Sequence, residues 1–312
     1  MKELFNHAPR REIIMRRDFG LVNLYKEKGI SSFKAVEKVR NLFRIRKGGH
    51  GGTLDPEAEG VLPILLGRAT KVSSLYLKSD KEYEVEFLLG LRTDTFDMAG
   101  KEIERIDEFS LGEESLLNAL KSFEGTYLQV PPRYSAVKIR GKRAYDLARR
   151  GEQFDLPPRE VTCIEARLYD YSEEVAKVHV TCMSGFYIRA MARDLSDKLG
   201  IPVTARKIVR VKTGYLDISS SRTLGELSAM KEEGRLEDAL MSLDVALPQL
   251  PGILVDEGSE QMVVQGIRPE SFLPIEPPPG LYKIKNRRGN VIALIEKQKG
   301  TPIKYRCVLT GN

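Results

Sequence analysis

The sequence predicts an α+β fold, a mixed and mainly antiparallel sheet with flanking helices, followed by a small C-terminal β module. Lys81 to Leu89 alternates, with Tyr83, Val85, Phe87 and Leu89 on one face and Glu82, Glu84 and Glu86 on the other, which is the period of a half-buried strand. Ile188, Met191, Ala192, Leu195 and Leu199 mark one face of a helix that Gly200 closes. Strands and helices do not follow each other as regular βαβ units, which argues against an all-parallel sheet.

The elements follow in order. Residues 1–20 form a polar leader with Arg10, Arg11, Arg16 and Arg17, expected to be a disordered basic arm. Leu21 to Tyr25 reads as a strand. Ser31 or Ser32 caps a helix with the apolar stripe Phe33, Val36, Val39 and Leu42 or Phe43. The glycines of Gly48-Gly49-His50-Gly51-Gly52 predict irregular backbone. A helix is expected near Glu113 to Phe123, then a Pro- and Tyr-bearing stretch from Val130 to Ser135, then a basic helix through Tyr145 and Arg149. Val161 to Tyr169 and Val175 to Met183 read as strands. A boundary near Leu247 to Pro251 divides a main domain, 21–248, from a β module, 249–312, whose Tyr282 to Lys285 and Val291 to Glu296 flank a turn at Asn286 to Asn290.

At 312 residues, 41% hydrophobic and 30% charged, the chain has material for a core and, at roughly 150 residues per domain, for two domains. Its formal charge is only +6, so distribution matters more than the total. Arg44, Arg46 and Lys47 form one basic cluster, Arg140, Lys142 and Arg143 a second, and Arg206, Lys207, Arg210 and Lys212 a third, the footprint expected for a phosphate backbone. Three scattered cysteines without a CxxC pair, and three histidines, speak against a zinc site and fit a reducing cytoplasm. No apolar run suits a signal peptide or a membrane span.

The informative segment runs from Gly49 to Leu62: Gly-His-Gly-Gly-Thr-Leu-Asp-Pro-Glu-Ala-Glu-Gly-Val-Leu. No lysine follows its closing glycine as a P-loop requires, and Leu54 stands where a dinucleotide fingerprint needs glycine. What remains is a loop open to a large ligand, carrying one histidine, His50, and one carboxylate, Asp55. Asp-Pro also starts ordinary turns, so the residues alone leave both readings open.

This segment resembles the signature loop of the TruB-type pseudouridine synthases, GHxGTLDPxAxGVL. The likeness continues through Gly67-Arg68-Ala69-Thr70-Lys71, through Lys81-x-Tyr83 and Thr93-Asp94-Thr95-x-Asp97, through Val130 to Lys138 and Gly141 to Tyr145, and through Ser184-Gly185-Phe186-Tyr187-Ile188-Arg189. These blocks occur in family order over roughly residues 20 to 215. The resemblance implies the pseudouridine synthase fold and isomerisation of uridine to pseudouridine in the T-loop of tRNA, without metal or redox cofactor. It casts Asp55 as the carboxylate beside C1′, Arg189 as its ionic partner, and Tyr83 as a catalytic residue whose ring stacks on the target base, with help in removing the C5 proton as its second role. It places His50 against the everted nucleotides, Tyr187 on the base pocket and Lys26 at the site entry. Lys138, Arg143, Arg206 and Lys207 are expected on RNA. The C-terminal module resembles a small PUA-like RNA-binding domain, and the expected form is a cytoplasmic monomer with no obligatory protein partner.

Several positions depart from the family pattern. Glu27 and Ser31 replace a usual proline and threonine, Gly51 stands where threonine is common, Phe186 replaces the threonine of GTYIR, and Glu59 adds a carboxylate expected to point outward. Two other readings compete: the catalytic subunit of a guide-RNA particle, and a non-catalytic tRNA-binding chaperone. The modest C-terminal module weighs against the first. The joint presence of Asp55, Tyr83 and Arg189 weighs against the second.

Overall fold

A computed structural model describes residues 19–310 apart from 135–137, 140, 141, 145, 146, 148, 149, 151, 153 and 275, and leaves the side chains of 138, 139, 142 and 143 undescribed. The proposed leader thus falls almost wholly outside the described residues, as do Tyr145 and Arg149 of the expected basic helix.

The main sheet is mixed and mainly antiparallel, as expected. Its strand order is Gly20–Lys26, Glu59–Leu66, Val203–Thr213, Lys81–Leu89, Val175–Cys182, Arg159–Tyr171 and Gly125–Gln129. Among the described residues, the parallel strand pairing within it joins Val209 to Glu59 and Arg210 to Gly60. Lys81–Leu89 is central and carries Val85 and Phe87 into a core with no exposure, which the alternating pattern anticipated. On one side this core is closed by the helices Ser32–Phe43, Glu113–Lys121 and Ile188–Leu199, whose buried faces supply Val39, Leu116 and Leu195.

Two local expectations are corrected. Gly48–His50 is a short strand on Ile64 to Leu66, because residues with little or no side chain leave room for close backbone pairing. Gly48 shows the constraint: a Cβ there would meet the Arg40 side chain at 2.6 Å. The first helix is capped by Ser31, whose side chain accepts from the Lys34 amide, but it buries Ala35, Val36, Val39 and Phe43 and leaves Phe33 76% exposed. The buried face therefore starts at Ser32 and Ala35 instead of Phe33 and keeps Val36, Val39 and Phe43.

The C-terminal strands Gly252–Leu254, Gly280–Lys285, Val291–Lys297 and Lys304–Val308 form a separate sheet. It does not stand apart from the main one. Val291, Leu294 and Leu309 share a buried cluster with Leu21, Val61, Leu65 and Tyr76. Arg68 and Lys71 donate to the carbonyls of Leu309 and Val308 at 3.2 and 2.7 Å, and Lys283 binds Asp244 at 2.8 Å. No helix among the described residues is long and apolar enough to cross a membrane.

Candidate active site

Asp55 sits on the loop between Gly48–His50 and Glu59–Leu66. The loop is fixed from behind. Ser32 Oγ accepts from the Leu54 amide and donates to its carbonyl, both at 2.8 Å, and the Asp55 carbonyl accepts from the Ala58 amide at 3.1 Å. The next carbonyl, of Pro56, accepts from the Gly29 amide at 2.9 Å and from Lys26 Nζ at 3.1 Å. A carboxylate on a loop so tied has a defined place in spite of the surrounding glycines.

That place is the wall of a cavity of about 290 Å³, also lined by Leu77, Tyr83, Met183, Tyr187, Arg189 and Arg210. Arg189 Nε stands 2.7 Å from Asp55 Oδ2 and 3.3 Å from Asp97 Oδ2. Its terminal nitrogens donate to the Tyr134 carbonyl at 2.7 Å and the Thr95 carbonyl at 3.4 Å. Arg189 is 4% exposed, so its charge needs these partners. The start of its helix is held by Gln129, which accepts from the Tyr187 amide at 3.0 Å and donates to the Tyr187 carbonyl at 3.3 Å. This clamp stands in for a side-chain cap on that helix.

Asp97 is buried, and burial pushes its carboxyl above the ordinary aspartate range while Arg189 pulls it back. Its Oδ1 accepts from Thr95 at 2.6 Å and from the Ala99 amide at 3.0 Å. Asp55 differs: its side chain is 37% exposed, and among the described residues its Oδ1 accepts no hydrogen bond. One carboxylate is locked in place, and the other has an oxygen left for a ligand.

Tyr83 lies at the cavity on the central strand, and burial drives its phenol up to about 12. Its cross-strand partner is Arg210, only 1% exposed. Arg210 donates to the carbonyls of Val61, Thr53 and Gly52 at 2.8, 3.3 and 3.1 Å. Beside it, Lys81 Nζ is enclosed by the carbonyls of Tyr76, Leu77 and Ser79, and burial lowers it to about 8.

The sequence-predicted residues do not all meet at the cavity. Asp55, Tyr83, Arg189 and Tyr187 meet at the cavity. His50 is half-buried and does not line it; burial, and secondarily Arg210, lower its pKa, and its Nδ1 has no partner among the described residues. Lys26 is a correction. It is 0% exposed, and its ammonium is used up on the carbonyls of Glu27, Ile30 and Pro56, so it supports the Asp55 loop from within and cannot reach RNA at an entry. Within the third basic cluster only Arg210 turns inward; Arg206 pairs with Glu86 at 2.6 Å and Lys212 with Glu82 at 2.8 Å at the surface, and Lys207 is exposed without a pairing among the described residues. The side chains of Lys138 and Arg143 lie outside the described residues.

Two departures acquire a physical reason. Phe186 packs edge-on against Tyr127, with ring centroids 6.3 Å apart, extending the core where a threonine would leave a gap. A Cβ on Gly51 would come within 2.5 Å of the Tyr76 Cβ. Glu59 does not simply point outward, since it accepts from the Tyr25 hydroxyl at 2.9 Å. Sequence reasoning gave no role to Asp97, Lys81 or Gln129. For Arg210 a signal existed: alternation along Val203–Thr213 puts it on the same face as Ile208, which also lines the cavity. Among the described residues no group of three His, Cys, Asp or Glu side chains is placed to hold a metal ion.

Comparison with known proteins yields a consistent set of relatives. A family model described as TruB family pseudouridylate synthase (N terminal domain) matches residues 40–188. A Dehalococcoides mccartyi (strain CBDB1) protein named tRNA pseudouridine synthase B is 36% identical over 279 residues, covering 89% of this chain and 92% of its own length. One of the same name from Caldanaerobacter subterraneus subsp. tengcongensis is 38% identical over 250 residues, covering 79% and 85%. Among solved structures, a chain from a Cbf5-Nop10-Gar1 complex matches with a TM-score of 0.72 over 96% of this chain and 88% of that one, at 24% identity, which speaks to the fold alone.

Proposed function

Because the chain belongs to the TruB family of pseudouridylate synthases, we propose that it isomerises a uridine in the T-loop of tRNA to pseudouridine, with Asp55 as its catalytic carboxylate. The observation that carries this reading is the 2.7 Å pairing of Asp55 Oδ2 with buried Arg189, which leaves Oδ1 without a partner among the described residues. Such a carboxylate suits an electron-poor sugar carbon, because one oxygen is oriented by a fixed cation while the other can approach C1′.

The target base is stacked inside a folded T-loop and must be everted, at a cost of a few kcal/mol. Tyr83 offers its ring to the everted base, and burial pushes its phenol up to about 12, which makes stacking its leading role and proton removal from C5 the second. The N1–C1′ bond breaks, the uracil turns, C5 bonds to C1′, the proton on C5 leaves and N1 gains one. Composition is unchanged, so this isomerisation needs no oxidant.

The reading includes a cytoplasmic monomer that works without guide RNA. It assigns 21–248 to catalysis and 249–312 to a PUA-like module on RNA. The names of the relatives, each a tRNA pseudouridine synthase, support tRNA as substrate. The test is to incubate the pure protein with unmodified tRNA transcripts and map every pseudouridine. The expected result is one site, in the T-loop. Modification elsewhere, or only after adding guide RNA, contradicts the reading.

A further inference from the structure

Arg210 is the most thoroughly buried charged group bordering the cavity, and its partners are unusual for a buried arginine. At 1% exposure it has no carboxylate at ion-pair distance among the described residues. Its three hydrogen bonds go to backbone carbonyls that bracket the catalytic turn: Gly52 and Thr53 before Asp55, and Val61 after it. Carbonyl dipoles orient a guanidinium without neutralising it. The backbone has been shaped around this side chain's own strand. Gly60 pairs with Arg210, has φ +102°, and would place a Cβ 2.2 Å from the Arg210 carbonyl oxygen. Lys81, a second buried cation bordering the same cavity, is likewise held by carbonyls alone among the described residues. Two positive charges therefore lie beside Tyr83, one on the opposite strand and one on its own, and among the described residues neither has a carboxylate at ion-pair distance.

An uncompensated buried charge is costly, and structures retain one where a reaction generates the opposite charge. The isomerisation does so. When the N1–C1′ bond breaks, its electron pair stays with the uracil, which becomes a monoanion. This holds whether the sugar is then captured by Asp55 as an ester or loses its C2′ proton to form a glycal. The anion must be held long enough to turn and present C5 before C5 returns the pair to C1′.

On the reading of the chain as a pseudouridine synthase, we propose that Arg210 is a positioning residue with an electrostatic role: it clamps the two limbs of the Asp55 turn and holds a fixed positive charge behind Tyr83 that stabilises the detached uracil anion, with Lys81 as its auxiliary. Tyr83 carries the base on its ring, and the Arg210 guanidinium beside its hydroxyl supplies the charge that the ring lacks. Arg189, by contrast, is committed to Asp55 and Asp97.

The test measures single-turnover conversion and tRNA affinity for R210Q, which keeps hydrogen-bond donors but removes the charge. Conversion falls by about 10²-fold or more, while the dissociation constant for tRNA stays within about threefold. The same comparison is then made with 5-fluorouridine at the target position, following loss of the intact nucleotide by chromatography. Fluorine makes the uracil a more stable anion, so the penalty of R210Q shrinks by about tenfold or more. A merely structural role would slow both bases equally, and that result, or an R210Q rate within about threefold of wild type, overturns the proposal. If R210Q does not fold, R210K keeps the charge and is expected within about tenfold of wild type; a loss as deep as that of D55N overturns the proposal. A wild-type protein that forms no pseudouridine sinks the functional reading itself, whereas an active wild type with unimpaired Arg210 variants sinks only this inference.

Discussion

Arg189 Nε lies 2.7 Å from one oxygen of Asp55 and 3.3 Å from one oxygen of Asp97, so a single buried guanidinium spans two carboxylates of opposite accessibility. Asp97 is buried and accepts from Thr95 and the Ala99 amide; Asp55 is 37% exposed at a cavity. The asymmetry leaves one acid locked in place and the other with an oxygen open to a ligand.

Replacing Arg189 with Met is expected to damage both stability and turnover. It leaves Asp97 buried without its cation, at a cost of about 3–5 kcal/mol for breaking a buried pair. Urea unfolding checks the first effect, and conversion of saturating tRNA by the remaining folded protein checks the second. A stable R189M with wild-type turnover would contradict the arrangement.

Gly60→Ala is expected to be among the most disruptive small substitutions in the chain. The new Cβ would meet the Arg210 carbonyl oxygen at 2.2 Å, in a residue with φ +102°. Strain of this kind costs about 1–3 kcal/mol before the clash is counted. A thermal midpoint unchanged from wild type would show that the two strands are not so closely apposed.

Burial holds Lys26 at about 8 against an ordinary value of 10.5, so between these pH values the unfolded chain binds more protons than the folded one. Stability from this group therefore rises with pH across that window, by at most about 1.4 kcal/mol per unit, and the cost of burying the ammonium is fully present below about 8. In urea unfolding at a series of pH values, wild type should gain on Lys26→Met between pH about 8 and about 10. A constant or falling difference would mean that Lys26 is not enclosed.

Much of this architecture was legible because it rests on local periodicity. The alternation from Lys81 to Leu89, the helix from Ile188 to Gly200 and the C-terminal hairpin each follow from spacing, and all three stand where expected. Motif resemblance brought Asp55, Tyr83 and Arg189 forward as candidates. What escaped was decided by long-range packing. Lys26 carries no local sign in the sequence that the Pro56 carbonyl will enclose it, and for Arg210 the alternation marks an inward face but not the Gly52 and Thr53 carbonyls that receive it. Phe33 failed for a related reason: the sheet touches the helix along Ala35, Val36, Val39 and Phe43, and the larger ring at its start falls off that line.

The C-terminal sheet shares a buried cluster with the main one, and this changes the expected result of removing it. Truncation after Leu247 strips Val291, Leu294 and Leu309 from Leu21, Val61 and Tyr76. The shortened chain should melt lower and expose apolar surface that binds a hydrophobic dye, in addition to binding tRNA more weakly. A truncation as stable as the full chain would show the two sheets to be energetically independent.

The most direct test of the central claim is release of the C5 proton from tRNA labelled at uracil C5, comparing wild type with Asp55→Asn. The substitution preserves the size and shape of the side chain beside Arg189 while removing its charge. Release should fall by about 10⁴-fold or more, with tRNA affinity retained within about threefold. Turnover by Asp55→Asn at a rate near that of wild type would contradict the assignment of Asp55 as the catalytic carboxylate.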